Sequence, residues 1–225
     1  MQKNLHRVQF VLHSVRKHKS LSMSGTSHPA DDASAEGVRE RKRRETRHRI
    51  AETALRLFLA HGFEGTTLDV IATESGISRR TFFSYFKSKD DILLFSQDVH
   101  WRAIYDDLLE TSPDVPPLDA VRDIMVKHMA RYTTEEMVAI DAVMRSSATL
   151  QSRKQAFYAE QEQVLFSQLC EVWRQPERRT ALRMVAMVSM GAMRLTTQTW
   201  NEQASPRKPM AKVLREAFES LKSEL

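Results

Sequence analysis

Two arginines and a threonine follow one another at Arg79, Arg80 and Thr81, directly after Gly76, Ile77 and Ser78. A guanidinium carries a planar fork of N–H donors. It matches the paired acceptors on a guanine edge and pairs equally well with a phosphate. Hydroxyls at Ser78, Thr81 and Ser84 add short-range donors beside it. Such groups reach base edges when they sit at the start of a helix that enters the major groove. Their types and spacing point to double-stranded DNA as the partner. They also demand a scaffold: a short supporting helix, a tight turn, and a second helix opening at Ser78.

Residues 66–89 have the pattern of that scaffold. Thr66 and Asp69 stand at capping-box spacing, and Thr67 is an equally good cap one residue on. Leu68, Ile71 and Ala72 recur as an inward face, and Ser75-Gly76 stops the helix. Gly76 can adopt the positive φ that ends a helix and turns the chain. Ile77 is expected to plug the space between the two helices. Ser78 is a preferred N-cap. Phe82 and Phe86, four apart, give the second helix an apolar anchoring face and leave Arg79, Arg80 and Ser84 on other faces. A buried two-helix corner with a solvated basic surface would share the apolar spacing but not the agreement of turn, caps and charge.

The region from about residue 44 to 92 resembles the DNA-binding domain of the TetR/AcrR family of bacterial transcriptional regulators. The matching residues run in order: Ile50 to Phe58 in a first helix, Gly62-Phe63, Thr66-Thr67, Ile71-Ala72, Gly76-Ile77-Ser78, Thr81, Phe82-Phe83, Tyr85-Phe86 and Ser88-Lys89-Asp90. The resemblance implies that the first helix supports the motif and the third reads DNA. It implies that Lys89 begins a fourth helix and touches the phosphate backbone. The family often has tyrosine where this chain has Phe83, so that hydroxyl contact is missing and Tyr85 is the donor left. The expected DNA contacts are Arg44, Thr66, Thr67, Ser78, Arg79, Arg80, Thr81, Ser84, Tyr85 and Lys89.

A chain of 225 residues can bury a sizeable core in one or two domains. Its 41% hydrophobic and 28% charged residues suit a globular protein, and only six glycines and seven prolines favour long helices. The lone cysteine, Cys170, cannot form an intrachain disulfide and fits a reducing compartment. The most apolar run, 184–193, lies between Arg183 and Arg194 and is too short to span a bilayer. A cytoplasmic protein without a membrane partner is expected.

Net charge divides the chain. Residues 39–89 hold twelve Lys/Arg and six Asp/Glu, whereas residues 90–225 hold seventeen and twenty. A basic module followed by a mildly acidic one suits a DNA-contacting domain joined to a regulatory one. Within the first, residues 39–49 hold seven basic and two acidic side chains, an arm suited to phosphate. Residues 1–38 read as a disordered basic extension and linker, with Met23 an alternative start. The expected domains are therefore 1–38, 39–89 and 90–225.

Enzyme signals are poor. The eight histidines are scattered, with no H-E-x-x-H or Cys/His metal spacing and no glycine-rich phosphate loop. The S-x-x-K spacing occurs at Ser14, Ser84 and Ser205 without companion motifs. Cys170 sits in an apolar helical run and reads as core. No catalytic residue, metal ligand or cofactor is expected.

Beyond residue 89 the apolar spacing is helical throughout. Helices are expected over 90–110, 118–133, 134–145, 150–174, 177–203 and 210–225, separated at Pro113, Pro116 and Pro117, at Pro176, and over 205–209. With the N-terminal part this makes an all-α chain of about nine or ten helices: a three-helix helix-turn-helix domain and a C-terminal helical ligand-binding and dimerisation domain. Eight of eleven methionines lie between Met125 and Met193, and a flexible thioether interior adapts to irregular apolar ligands. Met125, His128, Met129, Arg145 and Trp200 are the expected effector contacts. Met184, Met187, Met190 and Met193 recur every third residue, a spacing that drifts around a helix. Helices 177–203 and 210–225 are apolar on more than one face, which calls for a second subunit. Gly191 and Ala192 would permit close approach. The family likeness likewise implies a homodimer through the last two helices and an effector pocket in the bundle. A Thr-Phe-Phe recognition helix is similar to that of members binding acyl-CoA-like ligands.

The expected function is a ligand-released homodimeric repressor on a palindromic DNA operator, answering to a small apolar or amphipathic, acyl-CoA-like effector. The alternatives are a DNA-binding protein without a small-molecule effector, recognisable by a fully packed core, and a helical-bundle enzyme, which would need a buried titratable cluster with a metal.

Overall fold

The computed structural model describes residues 31–224. Among them are nine α-helices: α1 Asp31–His61, α2 Leu68–Glu74, α3 Arg79–Phe83, α4 Lys89–Leu109, α5 Pro117–Met129, α6 Thr134–Ser146, α7 Ala148–Val172, α8 Arg179–Glu202 and α9 Met210–Ser223. A 3-10 turn at Pro176–Arg178 precedes α8, and the described residues contain no strand. The all-α expectation holds.

The expected extension lies outside the described residues over 1–30. From Asp31 onward the chain is already helical, so α1 begins within the expected linker, ahead of the domain boundary expected at residue 39. Ala33 and Ala35 are strong helix formers, and a single Gly37 costs only about 1 kcal/mol in a helix. The chain forms two compact units, Met1–Gln97 and Asp98–Leu225. The division falls inside α4, beyond the boundary expected after Lys89.

The first unit closes over a small aromatic core. Ile50, Ala54, Leu57 and Phe58 form the buried face of α1 at helical spacing. Ile71 and Ala72 of α2, Phe82 of α3, Phe86, and Ile92 and Leu93 of α4 are also buried. Phe58 meets Phe63 at 5.1 Å between ring centroids, and Phe86 meets Phe95 edge-on at 5.6 Å. The guanidinium of Arg47 lies 4.4 Å from the Phe95 ring and caps this stack.

The second unit is a bundle in which α7 and α8 pack against each other and α9 packs on both α8 and α5. Tyr105 donates its hydroxyl to Gln161 Oε1 at 2.6 Å. All three tryptophans are interior: Trp101 is 5%, Trp173 2% and Trp200 0% exposed. The indole N–H of Trp173 donates to the Pro113 carbonyl at 2.8 Å, and that of Trp200 to the Lys208 carbonyl at 2.8 Å, so buried donors are satisfied by loop backbone.

α9 departs from the expectation of a helix apolar on several faces. Met210, Val213, Leu214 and Phe218 are buried in its own subunit, while Lys212, Arg215, Glu219 and Lys222 are exposed. It is amphipathic, with its one apolar face already covered. On α8 the case is reversed. Leu182, Ala186, Ser189, Met190, Thr196 and Trp200 are buried, yet Met184, Met187 and Leu195 are 53%, 45% and 57% exposed. At about 100° per residue these three fall with Val188 and Gly191 in one arc of about 100°, opposite the core. Ala192 belongs to the buried side, so of the two small residues only Gly191 lies in the outer stripe.

Candidate nucleic-acid interface

The turn that aims α3 is built locally. Thr67, not Thr66, caps α2, its hydroxyl accepting from Val70 N at 3.3 Å. At the other end Gly76 has φ +68°, Gly76 N donates to the Thr73 carbonyl and Ile77 N to the Ala72 carbonyl. That double closure is the Schellman pattern, which needs a left-handed residue where glycine stands. Ser78 then caps α3, accepting from Thr81 N at 3.1 Å, with the Ser78 and Thr81 hydroxyls 2.9 Å apart.

Phe82 is wholly buried and Phe86 is 2% exposed, so the inner side of α3 is fixed. Arg79, Arg80, Thr81, Phe83 and Ser84 are all exposed on the same short segment. The two arginines differ. Arg79 NH1 donates to Asp69 on α2 at 3.2 Å and lies 5.8 Å from the Phe83 ring. Arg80 stands clear in solvent. Across the motif Arg56 of α1 donates to Glu74 of α2 at 3.3 Å. Exposed pairs of this kind contribute little stability, so their effect is orientation. Arg44 is exposed on α1, among the basic run 39–49, and Tyr85 is half-buried beyond α3.

Three of the expected contacts have partners within the protein. Thr66 is 2% exposed and donates its hydroxyl to the Gly62 carbonyl at 2.8 Å, holding the loop between α1 and α2. Ser78 is engaged as the cap described above. Lys89 donates its ammonium to the Phe63 carbonyl at 2.6 Å and lies 4.4 Å from the Phe63 ring, with Glu64 at 3.8 Å. Beside it Asp91 N donates to Ser88 Oγ at 3.1 Å while the Asp91 carboxylate accepts from Lys87 N at 2.9 Å, a reciprocal cap for α4. The Ser-Lys-Asp element is thus a corner that fastens α4 to the end of α1.

This makes Lys89 testable. Lys89→Met is expected to destabilise the first unit by on the order of 1–2 kcal/mol through the lost carbonyl contact. It should leave unchanged the slope of log affinity against log salt for duplex DNA. A slope lowered by about one would instead place the ammonium on a phosphate.

In the second unit Met125, His128 and Met129 come together on the buried face of α5. Trp200 belongs to the same buried core as Met125 and Met129, whereas Arg145 lies outside it. Arg145 is an exposed side chain paired with Asp141 at 2.7 Å, and the Trp200 indole faces the Lys208 carbonyl, with Arg207 4.6 Å from its ring. The sequence pattern missed His100 and Asp107, which reach α5 from α4. His128 is 1% exposed and its Nε2 lies 2.9 Å from Asp107 Oδ2. A carboxylate only accepts, so the imidazole donates there. Lys127 Nζ donates to the same oxygen at 2.9 Å. Partial burial opposes the Asp107 charge, but the hydrogen bonds from Lys127 and His128 outweigh it and keep the carboxyl below the ordinary range. The His100 ring stands edge-on to His128 at 6.0 Å and near Tyr132 at 6.2 Å.

Burial, then the charges of His128 and Arg131, hold the His100 imidazole down to about 4. Burial also lowers His128, against the pull of Asp107. Both histidines are easier to protonate in the unfolded chain, so the folded state loses stability as pH falls from about 6.5 towards about 4. The loss attributable to His100 is on the order of 1–3 kcal/mol. Calorimetric melting across that window should therefore show a falling Tm, flattened in a His100→Gln variant. An equal pH slope in the variant would refute the assignment.

Two further polar groups escaped the sequence reading. The hydroxyls of Ser189 and Thr196, two turns apart on the inner side of α8, are buried and have no hydrogen-bond partner among the described residues. The described residues contain no cluster of three metal-ligating side chains and no helix long and apolar enough to cross a membrane.

Two family models match this chain. That of the bacterial regulatory proteins of the tetR family covers residues 50–94, and that of the MftR C-terminal domain covers residues 115–225. The HTH-type transcriptional regulator TcmR of Streptomyces glaucescens is 47% identical over 58 residues, 26% of this chain and 26% of TcmR. The putative mycofactocin biosynthesis transcriptional regulator MftR of Mycobacterium tuberculosis is 48% identical over 52 residues, 23% of this chain and 26% of MftR. The chain spans about a quarter of the length of these curated relatives. A crystal structure of a "transcriptional regulator (TerR/AcrR family)" from Aquifex aeolicus VF5 shares the fold. Its TM-score is 0.53 at 16% identity, covering 80% of this chain and 99% of that one.

Proposed function

This chain belongs to the TetR/AcrR family of transcriptional regulators, and on that premise we propose that it acts as a homodimeric, ligand-released repressor of a palindromic operator. The observation that carries the DNA reading is the two-sided character of α3: Phe82 is wholly buried while Arg79, Arg80, Thr81 and Ser84 stand exposed. Arg80 reads a base edge, Arg79 is steered by Asp69 to the side of the groove, and Arg44, Thr67, Thr81, Ser84 and Tyr85 contact backbone phosphates. Thr66, Ser78 and Lys89 hold the elements that present them.

The outer stripe of α8, Met184, Met187, Val188, Gly191 and Leu195, supports a second copy of this chain as its cover. Val164, 38% exposed, extends the apolar surface on α7. A two-fold contact of this kind presents two copies of α3, and they must enter successive major grooves about 34–36 Å apart. A ligand with higher affinity for a dimer of different spacing lowers operator affinity by that difference. The methionine-bearing face of α5 and the unpartnered Ser189 and Thr196 hydroxyls support a small amphipathic molecule as that ligand.

Selection from a randomised duplex pool tests the DNA reading. A two-fold symmetric site is expected, and a pool that yields no enriched sequence refutes it. Long-chain acyl-CoA added to the selected complex tests release: affinity should fall and Tm of the free protein should rise. A protein that binds the site and ignores every amphipathic ligand would be a regulator without a small-molecule effector.

A further inference from the structure

The exposed surface of α3 is not wholly polar. Phe83 is 43% exposed at the end of that helix, among arginines and hydroxyls. Its ring stands edge-on to the buried Phe82 ring at 5.6 Å, so it is braced from within. From the other side Arg79 lies 5.8 Å from its centroid.

The helical period places Phe83 with the reading residues. With Arg79 at 0° and about 100° per residue, Phe83 falls near 40° and Arg80 near 100°, whereas the anchoring Phe82 falls near 300°. Phe83 therefore projects between the two arginines, one turn further along. Its ring can neither donate nor accept a hydrogen bond, so it gains nothing from a phosphate or from the edge of guanine, adenine or cytosine. In the major groove the apolar group on offer is the 5-methyl of thymine. The surrounding cations give this patch a polyanion as its partner.

We propose that Phe83 is a specificity-determining residue that packs on the 5-methyl group of a thymine beside the base pair read by Arg80. Phe83 lies three positions beyond Arg80, about 4.5 Å along the helix axis, and successive base pairs are about 3.4 Å apart. The thymine accordingly lies one or two steps from the Arg80 pair. This inference rests on α3 being the recognition helix.

The test uses the full-length protein and a duplex selected from a randomised pool. Each thymine in turn is replaced by deoxyuridine, which removes the methyl and keeps every hydrogen-bonding group. The wild type should lose about three- to tenfold in affinity at one thymine per half-site, the effect of one buried methyl. Phe83→Ala should bind the thymine and uracil duplexes equally, and Phe83→Leu should keep part of the difference. Wild-type affinity unchanged by every uracil overturns the proposal, and needs no variant that might misfold. So does an equal uracil penalty in the wild type and in Phe83→Ala. Arg80→Ala on the same duplex separates the two failures. Undiminished affinity in that variant removes α3 from the groove altogether. A drop there, with no uracil effect in the wild type, removes Phe83 alone.

Discussion

Placing a charge on the outer stripe of α8, as in Leu195→Glu, is expected to turn the proposed dimer into monomers and to lower operator affinity by about a thousandfold or more. Leu195 is 57% exposed, so the subunit itself loses no core contact. Against a second copy, each glutamate would bring a charge into an otherwise apolar contact, which costs free energy. A monomer holds one half-site only, and its affinity falls towards the nonspecific level, which lies roughly 10³–10⁷-fold below specific binding. Sedimentation velocity at micromolar concentration and titration of the selected duplex measure the two effects separately. A Leu195→Glu protein that remains dimeric removes α8 from the interface. Unchanged subunit melting by circular dichroism identifies the effect as one of association.

Arg80→Ala carries the second large effect. Arg80 is exposed on α3 and has no partner among the described residues, so its removal is expected to leave the fold intact. A bidentate contact to a base is worth on the order of 1–3 kcal/mol, and a two-fold site counts it twice. The expected loss begins at about thirtyfold and falls on one base pair in each half-site, which becomes degenerate when the pool is selected again. Arg79→Ala should cost less, because Asp69 already competes for that guanidinium at 3.2 Å. Equal losses for the two variants, or none for Arg80→Ala, would contradict the division of labour between them.

Local chemistry was legible in the sequence because its partners are neighbours in the chain. The Gly76 turn, the Ser78 cap and the Phe82–Phe86 anchor all act within a few residues, and the structure places each as the spacing predicts. Helix boundaries fell within a few residues of expectation from α4 to α9. Pairings across loops were not legible. Nothing near Lys89 announces that its ammonium meets the Phe63 carbonyl, and nothing near Thr66 distinguishes a donor to Gly62 from a phosphate contact. The Asp107–His128 pair likewise joins two helices through residues 21 apart in the chain. Helix faces were the third limit. α8 and α9 share a methionine- and alanine-bearing composition, and only the packing of α9 on α5 and α8 decides that its apolar side is already covered. α1 extends to Asp31 because a single glycine in an otherwise favourable run interrupts a helix less than it appears to in a linker.

The interior placement of the three tryptophans makes this chain its own optical reporter. All of them, Trp101, Trp173 and Trp200, lie in the Asp98–Leu225 unit, and none is more than 5% exposed. Their emission should be blue-shifted in the native protein and should move to the red only when that unit opens. The described part of the DNA-reading unit has no indole and stays dark. Unfolding followed by tryptophan emission therefore reports one unit, while far-ultraviolet circular dichroism reports both. Coincident transitions would mark the chain as a single cooperative body, and separated ones would give each unit its own stability. Duplex DNA that quenches or shifts the indole signal would report a change in the Asp98–Leu225 unit.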